Sequence, residues 1–283
     1  MMTHDPYRIA VVTGASRGIG RAVVTALAGR GMEVHAVARS AAALAELAAA
    51  TGCRTHALDV ADGGALGEAI GGLAVDVLVN NAGLAQGGGP LYDTPPDELE
   101  AMLRANVAGT VNALRAVVPG MVARDRGHVV NLGSIAATCP APGSPAYAAT
   151  KAAVHSLSRN LRLDLFGSRV RVTEIAPGRV RTGIHAGYVG GDMAKAEEAF
   201  YRGYECLEPE DIAGAVLFAL DAPPRMDVTY MEILPTLQVY GGGDFLRTGP
   251  AADEGEPAAT AAPKPGTRPA PRTRPPARRR PRR

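Results

Sequence analysis

Tyr147 and Lys151 stand four residues apart in the run Tyr147-Ala148-Ala149-Thr150-Lys151. On a helix that spacing puts a phenol and an ammonium on one face, one turn apart. A phenol with an ordinary pKa of about 10 is a poor base at neutral pH, and a neighbouring cation favours its ionised form. Together the two side chains make a proton donor and acceptor for an alcohol–carbonyl pair. Ser134 follows the apolar run Gly127–Leu132, which reads as a strand. Its hydroxyl therefore falls at a strand's C-terminal edge, where doubly wound sheets bind ligands, and can hold a substrate oxygen there.

A second cluster lies near the start of the chain. Thr13-Gly14-Ala15-Ser16-Arg17-Gly18-Ile19-Gly20 follows an apolar run and opens a helix-compatible stretch. Glycines at such a turn permit a tight bend, close approach of backbone to a pyrophosphate, and close helix–strand packing. The helix start then presents unpaired N–H groups to the phosphates. The next apolar run ends Val37-Ala38-Arg39-Ser40, with no acidic residue to accept from adenosine ribose hydroxyls. Arg17 and Arg39 instead suit a 2′-phosphate through charge-assisted hydrogen bonds, so the expected cofactor is NADP(H).

These residues need a sheet to hold them, and the spacing of apolar residues supplies one. Short β-branched runs at Ile9–Thr13, Val34–Ala38, Thr55–Val60, Val75–Asn80, Gly127–Leu132, Val170–Ile175 and Val228–Leu234 read as strands. Between them, Gly18–Arg30, Ala41–Ala50, Gly64–Leu73, Asp97–Ala123, Tyr147–Phe166 and Glu210–Leu220 read as helices. Alternation of this kind, with strands apolar throughout, predicts an α/β fold. It consists of one doubly wound parallel sheet of about seven strands covered on both faces. One domain, 1–248, accounts for all of it.

Composition excludes several classes. The 283 residues are 46% hydrophobic and 20% charged, ample for a core. Cys53, Cys139 and Cys206 form no CxxC pair, which argues against a disulfide scaffold or a cysteine zinc site, and no metal is expected. No run of 18 apolar residues occurs, and the opening residues lack a signal peptide's basic-then-apolar order, so the expected location is cytoplasmic. Residues 251–283 hold nine basic and three acidic residues, a net +6 that leaves −4 on residues 1–250 of a chain at +2 overall. Eight prolines and no aromatic residue in that stretch predict a disordered, solvated tail over 249–283. Weak contact with nucleic acid is the alternative use of its arginines.

The set TGASRGIG (13–20), Asp59-Val60, NNAG (80–83), Asn106, Ser134, YAATK (147–151) and Pro177-Gly178 resembles the short-chain dehydrogenase/reductase superfamily, in order and spacing over residues 7–240. The resemblance implies a seven-stranded Rossmann-type sheet and hydride transfer between a nicotinamide and a carbinol carbon. It makes Tyr147 the general acid/base, Ser134 the polarising hydroxyl, and Lys151 the residue that depresses the Tyr147 pKa and bonds the nicotinamide ribose. Asn106 would hold a water linking Lys151 to solvent. Asp59 would accept from the adenine amine with Val60 beside the ring, while Asn81, next to Gly83, braces the sheet near the ribose. Gly14, Ser16, Arg17, Gly18, Ile19 and Gly20 would surround the phosphates. Pro177, Gly178, Val180 and Thr182 match the loop over the nicotinamide.

Further segments, among them NNAGLAQGGGP (80–90) and RVRVTEIAPG (169–178), resemble one branch, the NADP-dependent 3-hydroxy acid (serine) dehydrogenases and sulfoacetaldehyde reductases. The chain departs from that branch at Arg179-Val180-Arg181. Specificity is expected in the loop of about 176–208, where Arg181 or Arg202 would meet a substrate carboxylate and His185 reads as a surface lid residue. The alternatives are reduction of a larger secondary metabolite or an acyl-carrier-bound ketone and, more remotely, a non-catalytic nicotinamide sensor or nucleic-acid-binding protein. The resemblance also implies a homodimer or homotetramer joined through the helices at 97–123 and 147–166.

Overall fold

A computed structural model describes residues 7–139 and 143–239. The boundary at 248 and the tail over 249–283 lie outside the described residues. Seven strands, β1 (Ile9–Thr13), β2 (Glu33–Ala38), β3 (Arg54–Ala57), β4 (Val77–Asn80), β5 (Gly127–Leu132), β6 (Val170–Pro177) and β7 (Tyr230–Ile233), form one parallel sheet in the order β3-β2-β1-β4-β5-β6-β7. This is the doubly wound sheet read from the sequence. Its winding reverses between β1 and β4, and both strands end on the same edge.

Side-chain alternation along each strand serves two cores. Ala10 and Val12 of β1 face one side with Val34, Ala36, Val77 and Val79, while Val11 faces the other with Val37, Leu78 and Val129. The first face is covered by α1 (Gly18–Gly29), α2 (Ala41–Thr51) and α8 (Pro209–Asp221), through Val23, Leu27, Leu44, Leu47, Ile212 and Val216. The second is covered by α3 (Gly63–Ile70), α5 (Gly109–Ala123) and α6 (Pro145–Asp164). There Leu66, Ile70, Leu114, Val117, Met121 and Leu165 are buried. Burial on both faces is why the strands lack polar alternation.

Two elements differ from the sequence reading. The run 97–123 is not one uniform helix: α4 (Pro96–Met102) passes into α5 through a wider π turn, Leu103–Ala108. A wider turn inside an otherwise helical run has no composition signal of its own, so the sequence reads as one helix. β3 also stops at Ala57, short of the expected Val60. Asp59 turns the chain there, its side chain accepting from the Ala61 N–H at 2.9 Å. The loop after β6 adds a 3₁₀ turn (Gly183–Val189), the short α7 (Met193–Ala196) and a π turn (Glu197–Tyr201). No helix among the described residues is long and apolar enough to cross a membrane.

His128 on β5 is fully buried, with Nε2 2.8 Å from Thr173 Oγ1. Burial, helped by the Arg171 charge, drops its pKa to about 3. The unfolded chain binds a proton at His128 near the ordinary 6.5, so this group's contribution is intact above that value and is lost as pH falls towards 3. Unfolding free energy should therefore drop by up to about 1.4 kcal/mol per pH unit from this one group. Denaturant midpoints between pH 7 and 4 should fall less steeply for His128→Gln, which cannot charge; equal slopes would refute the account.

Candidate active site

At the edge where β1 and β4 end, the glycine turn is locked by backbone contacts that only small residues permit. Asn81, directly after β4, donates from Nδ2 to the carbonyls of Thr13 (3.0 Å) and Gly14 (3.1 Å). Thr13 Oγ1 accepts from the N–H groups of Asn81 (3.1 Å) and Ala82 (3.0 Å). A Cβ on Gly20 would sit 2.3 Å from the Gly14 carbonyl oxygen, so α1 approaches the turn this closely only with glycine there. Gly14 itself adopts φ +66°, open to glycine at little cost. α1 begins without a side-chain cap, which leaves its first N–H groups for an anion.

A cavity of about 350 Å³ runs from this turn along the ends of β2 and β3, lined by Gly14, Ser16, Arg17, Arg39, Asp59 and Val60. Gly83 joins it to a second cavity of about 120 Å³, whose wall includes Ile19, Asn81, Ser134, Tyr147, Lys151 and Thr182. Pro177, Gly178 and Val180 complete that wall. Neither Arg17 nor Arg39 has an ion-pair partner among the described residues, and Arg17 reaches towards Gly183 on the β6–α8 loop. The two cavities thus offer an uncapped helix start, unpaired guanidiniums at one end and a hydroxyl-rich pocket at the other. That donor set fits a dinucleotide bearing an extra phosphate.

In the second cavity Ser134 and Tyr147 are hydrogen-bonded side chain to side chain. Ser134 is fixed by accepting from the Ala136 N–H at 3.2 Å, as the cap of the turn Ile135–Ala137. Lys151, 5% exposed, donates from Nζ to the Leu132 carbonyl at 2.8 Å and lies 5.8 Å from the Tyr147 ring centre. The expected lowering of the Tyr147 pKa by Lys151 does not prevail. Protein encloses the half-accessible ring densely enough for burial to push the phenol up to about 12, with the Ser134 bond pulling the other way. Burial brings Lys151 down to about 8, opposed by the nearby Glu174 charge.

Asn106 sits in the π turn, 1% exposed, and both of its amide protons are donated. Oδ1 accepts from the Leu84 N–H (2.8 Å), and Nδ2 donates to the Leu84 carbonyl (2.9 Å) and to Thr150 Oγ1 (2.9 Å). Its side chain therefore ties the segment after β4 to α6; capacity for a water is left at the second lone pair of Oδ1 and at its backbone carbonyl, which accepts from Thr110 at 2.8 Å. Gly18, Gly20 and Asn106 line neither of the two joined cavities but support their walls.

The two arginines expected to meet a carboxylate are elsewhere. Arg181 pairs with Glu197 at 2.6 Å and Glu208 at 3.4 Å, and Arg202 pairs with Glu198 on the exposed side of the loop. Neither lines the cavity, because acidic residues of the same loop satisfy both. In their place the loop presents Ile184, His185 and Tyr188, so His185 is a wall residue and not a surface one. Sequence reading also missed Glu174 on β6, 2% exposed, with Oε2 2.8 Å from His155 Nδ1. An acidic residue inside an apolar strand run was the available signal.

A family model for short chain dehydrogenases matches residues 8–189. The chain belongs to the short-chain dehydrogenase family. It is 38% identical over 242 residues to an NADP-dependent 3-hydroxy acid dehydrogenase of Escherichia coli, covering 83% of this chain and 97% of that one. Identity to sulfoacetaldehyde reductase 2 of Chromohalobacter salexigens is also 38% over 242 residues, covering 82% and 96%. Among solved structures, the closed form of a serine dehydrogenase complexed with NADP+ is similar with a TM-score of 0.80 and 38% identity, covering 84% of this chain and 99% of that one. The resemblance read from the motifs, down to the branch, is what these relatives show.

Lysines occur only at 151, 195 and 264, so side-chain-labelled lysine should give three resolvable NMR signals. The Lys151 signal is expected to titrate near 8, and at still lower pH in Glu174→Gln, where the charge that favours the ammonium is gone. An unchanged midpoint in the variant would show that Glu174 does not act on Lys151.

Proposed function

We propose that the protein is an NADP(H)-dependent oxidoreductase that interconverts a small hydroxy compound, a 3-hydroxy acid or similar alcohol, and its aldehyde or ketone. The observation that carries this reading is the Ser134–Tyr147 hydrogen bond in a cavity shared with Lys151 and continuous with the glycine turn. Relatives described as NADP-dependent, or solved with NADP+, support the choice of nucleotide.

When bound, the nicotinamide supplies or accepts the hydride. Ser134 holds and polarises the substrate oxygen. Tyr147, whose phenol keeps its proton at neutral pH, donates it to that oxygen in reduction and takes it back in oxidation. Lys151 keeps a positive charge next to the phenol and bonds the nicotinamide ribose, and Asn106 positions the segment on which these groups depend. Gly14, Ser16 and Ile19 receive the pyrophosphate, with Gly18 and Gly20 shaping the turn behind them, Asp59 and Val60 the adenine, and Asn81, Gly83, Pro177, Gly178, Val180 and Thr182 the nicotinamide half. Arg17 and Arg39 meet the 2′-phosphate.

A second reading, reduction of a bulkier uncharged carbonyl, is favoured by one finding: Arg181 and Arg202 are already neutralised by glutamates of their own loop. Assembly into a homodimer or homotetramer belongs to the same proposal, with Leu103, Leu163 and Phe166 exposed on the helices concerned.

Tyr147→Phe should bind NADPH as tightly as the parent and lose turnover by about 10²–10⁴-fold, the usual scale for a lost general acid. Following NADPH oxidation and NADPH fluorescence in parallel checks both halves, and substantial turnover would end the assignment. Arg39→Ala should raise the KM for NADPH on the order of tenfold or more and leave that for NADH near its parent value, as loss of a charge-assisted bond requires. Equal effects on the two cofactors would remove Arg39 from phosphate recognition.

A further inference from the structure

The wall of the catalytic cavity formed by the β6–α8 loop carries information about the part of the substrate that does not react. The loop is closed at its base: the Arg181 N–H donates to the Leu207 carbonyl (2.7 Å) and the Leu207 N–H to the Arg179 carbonyl (3.0 Å). Its 3₁₀ turn starts at Thr182, whose hydroxyl accepts from the Ile184 N–H at 3.4 Å. Ile184, His185 and Tyr188 are thereby brought to the cavity that holds Ser134 and Tyr147.

His185 is fixed on several sides. Its ring stacks on Phe200 at 4.9 Å and meets the edge of Tyr201 at 5.3 Å, with Nδ1 2.6 Å from the Tyr201 hydroxyl. The direction of that last bond follows from proton counting. Tyr201 has one hydroxyl proton, and it is given to the Thr182 carbonyl in a short hydrogen bond. The same oxygen also accepts from the Thr182 N–H at 3.3 Å. His185 can therefore only donate to Tyr201, which places the ring proton on Nδ1 and leaves Nε2 with a lone pair and no protein partner among the described residues. Burial, reinforced by the Arg179 charge, takes the His185 pKa down to about 4, so the ring is neutral in the working range.

The charge around this acceptor is also decided. Lys151 is the cation on the cavity wall, and its ammonium is turned to the Leu132 carbonyl. Arg179 donates to the Phe200 carbonyl at 3.0 Å, lies over the Phe200 and Tyr204 rings and does not line the cavity. Tyr188 is hydrogen-bonded to Ser144. A carboxylate placed here would lose its water and face the lone pair of Nε2, whereas a hydroxyl would donate to it.

We propose that His185 is a specificity-determining residue whose Nε2 accepts a hydrogen bond from a substrate hydroxyl, so that the preferred substrates are uncharged hydroxy-aldehydes or hydroxy-ketones rather than carboxylates. This rests on the oxidoreductase reading above and, within its small hydroxy compounds, sets the uncharged ones in place of the 3-hydroxy acid.

The test compares 3-hydroxypropanal, propanal and malonic semialdehyde, three aldehydes of equal chain length, under NADPH. The parent enzyme is expected to show kcat/KM in the order hydroxyl-bearing, unsubstituted, carboxylate-bearing. His185→Leu should cut the preference for 3-hydroxypropanal over propanal on the order of tenfold, and His185→Gln, which retains an acceptor, should keep part of it. Preference for malonic semialdehyde in the parent, or loss of both neutral substrates in equal proportion in His185→Leu, would overturn the inference while leaving the oxidoreductase reading in place. No turnover of any aldehyde or matching ketone would remove that reading and this inference together.

Discussion

The chain reverses its winding between β1 and β4, and the crevice left at their shared edge has to be closed by backbone lying against backbone. Thr13, Gly14, Gly20 and Asn81 do this with four hydrogen bonds and one contact too close for any Cβ. If that junction opened, α1 would no longer point its first N–H groups into the larger cavity. Asn81 and Gly83, which border the smaller one, would move with it. The two cavities share Gly83, so nucleotide geometry and catalytic geometry depend on the same few bonds.

The smaller cavity depends on burial of ionisable groups in a graded way. Tyr147 is pushed towards its protonated form and Lys151 towards its neutral one, while Glu174, itself held up by burial, opposes the second shift. The Leu132 carbonyl holds the ammonium in place, and Ser134 draws the Tyr147 phenol back from the full effect of burial. A reduction site at neutral pH needs this state, with the acid loaded and the cation charged.

Much of this was legible in the sequence because periodicity and glycine placement are local signals. The seven strands and their parallel direction follow from apolar runs of strand length separated by helical ones, and Tyr147, Lys151 and Ser134 fall at strand or helix ends where the fold places ligands. What escaped was non-local. Nothing near Arg181 or Arg202 in the sequence says that Glu197, Glu208 and Glu198 will neutralise them, since a loop's internal pairing depends on its fold. The role of Asn106 as a tie between Leu84 and Thr150 likewise needs two segments brought together over 22 and 44 positions. His185 reads from the sequence as a surface lid residue; the aromatic layer that buries it comes from residues 200 and 201, which nothing adjacent to it announces.

The π turn at Leu103–Ala108 gives α4 and α5 different phases along one axis. α4 turns Asp97, Glu100 and Ala101 to the nucleotide cavity, while α5 turns Ala113, Leu114 and Val117 into the core. A regular α-helix advances about 100° per residue, so removing a single residue from the turn would rotate one half against the other by roughly that angle. Either the cavity wall or the core would then face the wrong way. Insertions and deletions are thus forbidden in this short stretch, even though it lies in a surface helix with exposed residues on either side of Asn106.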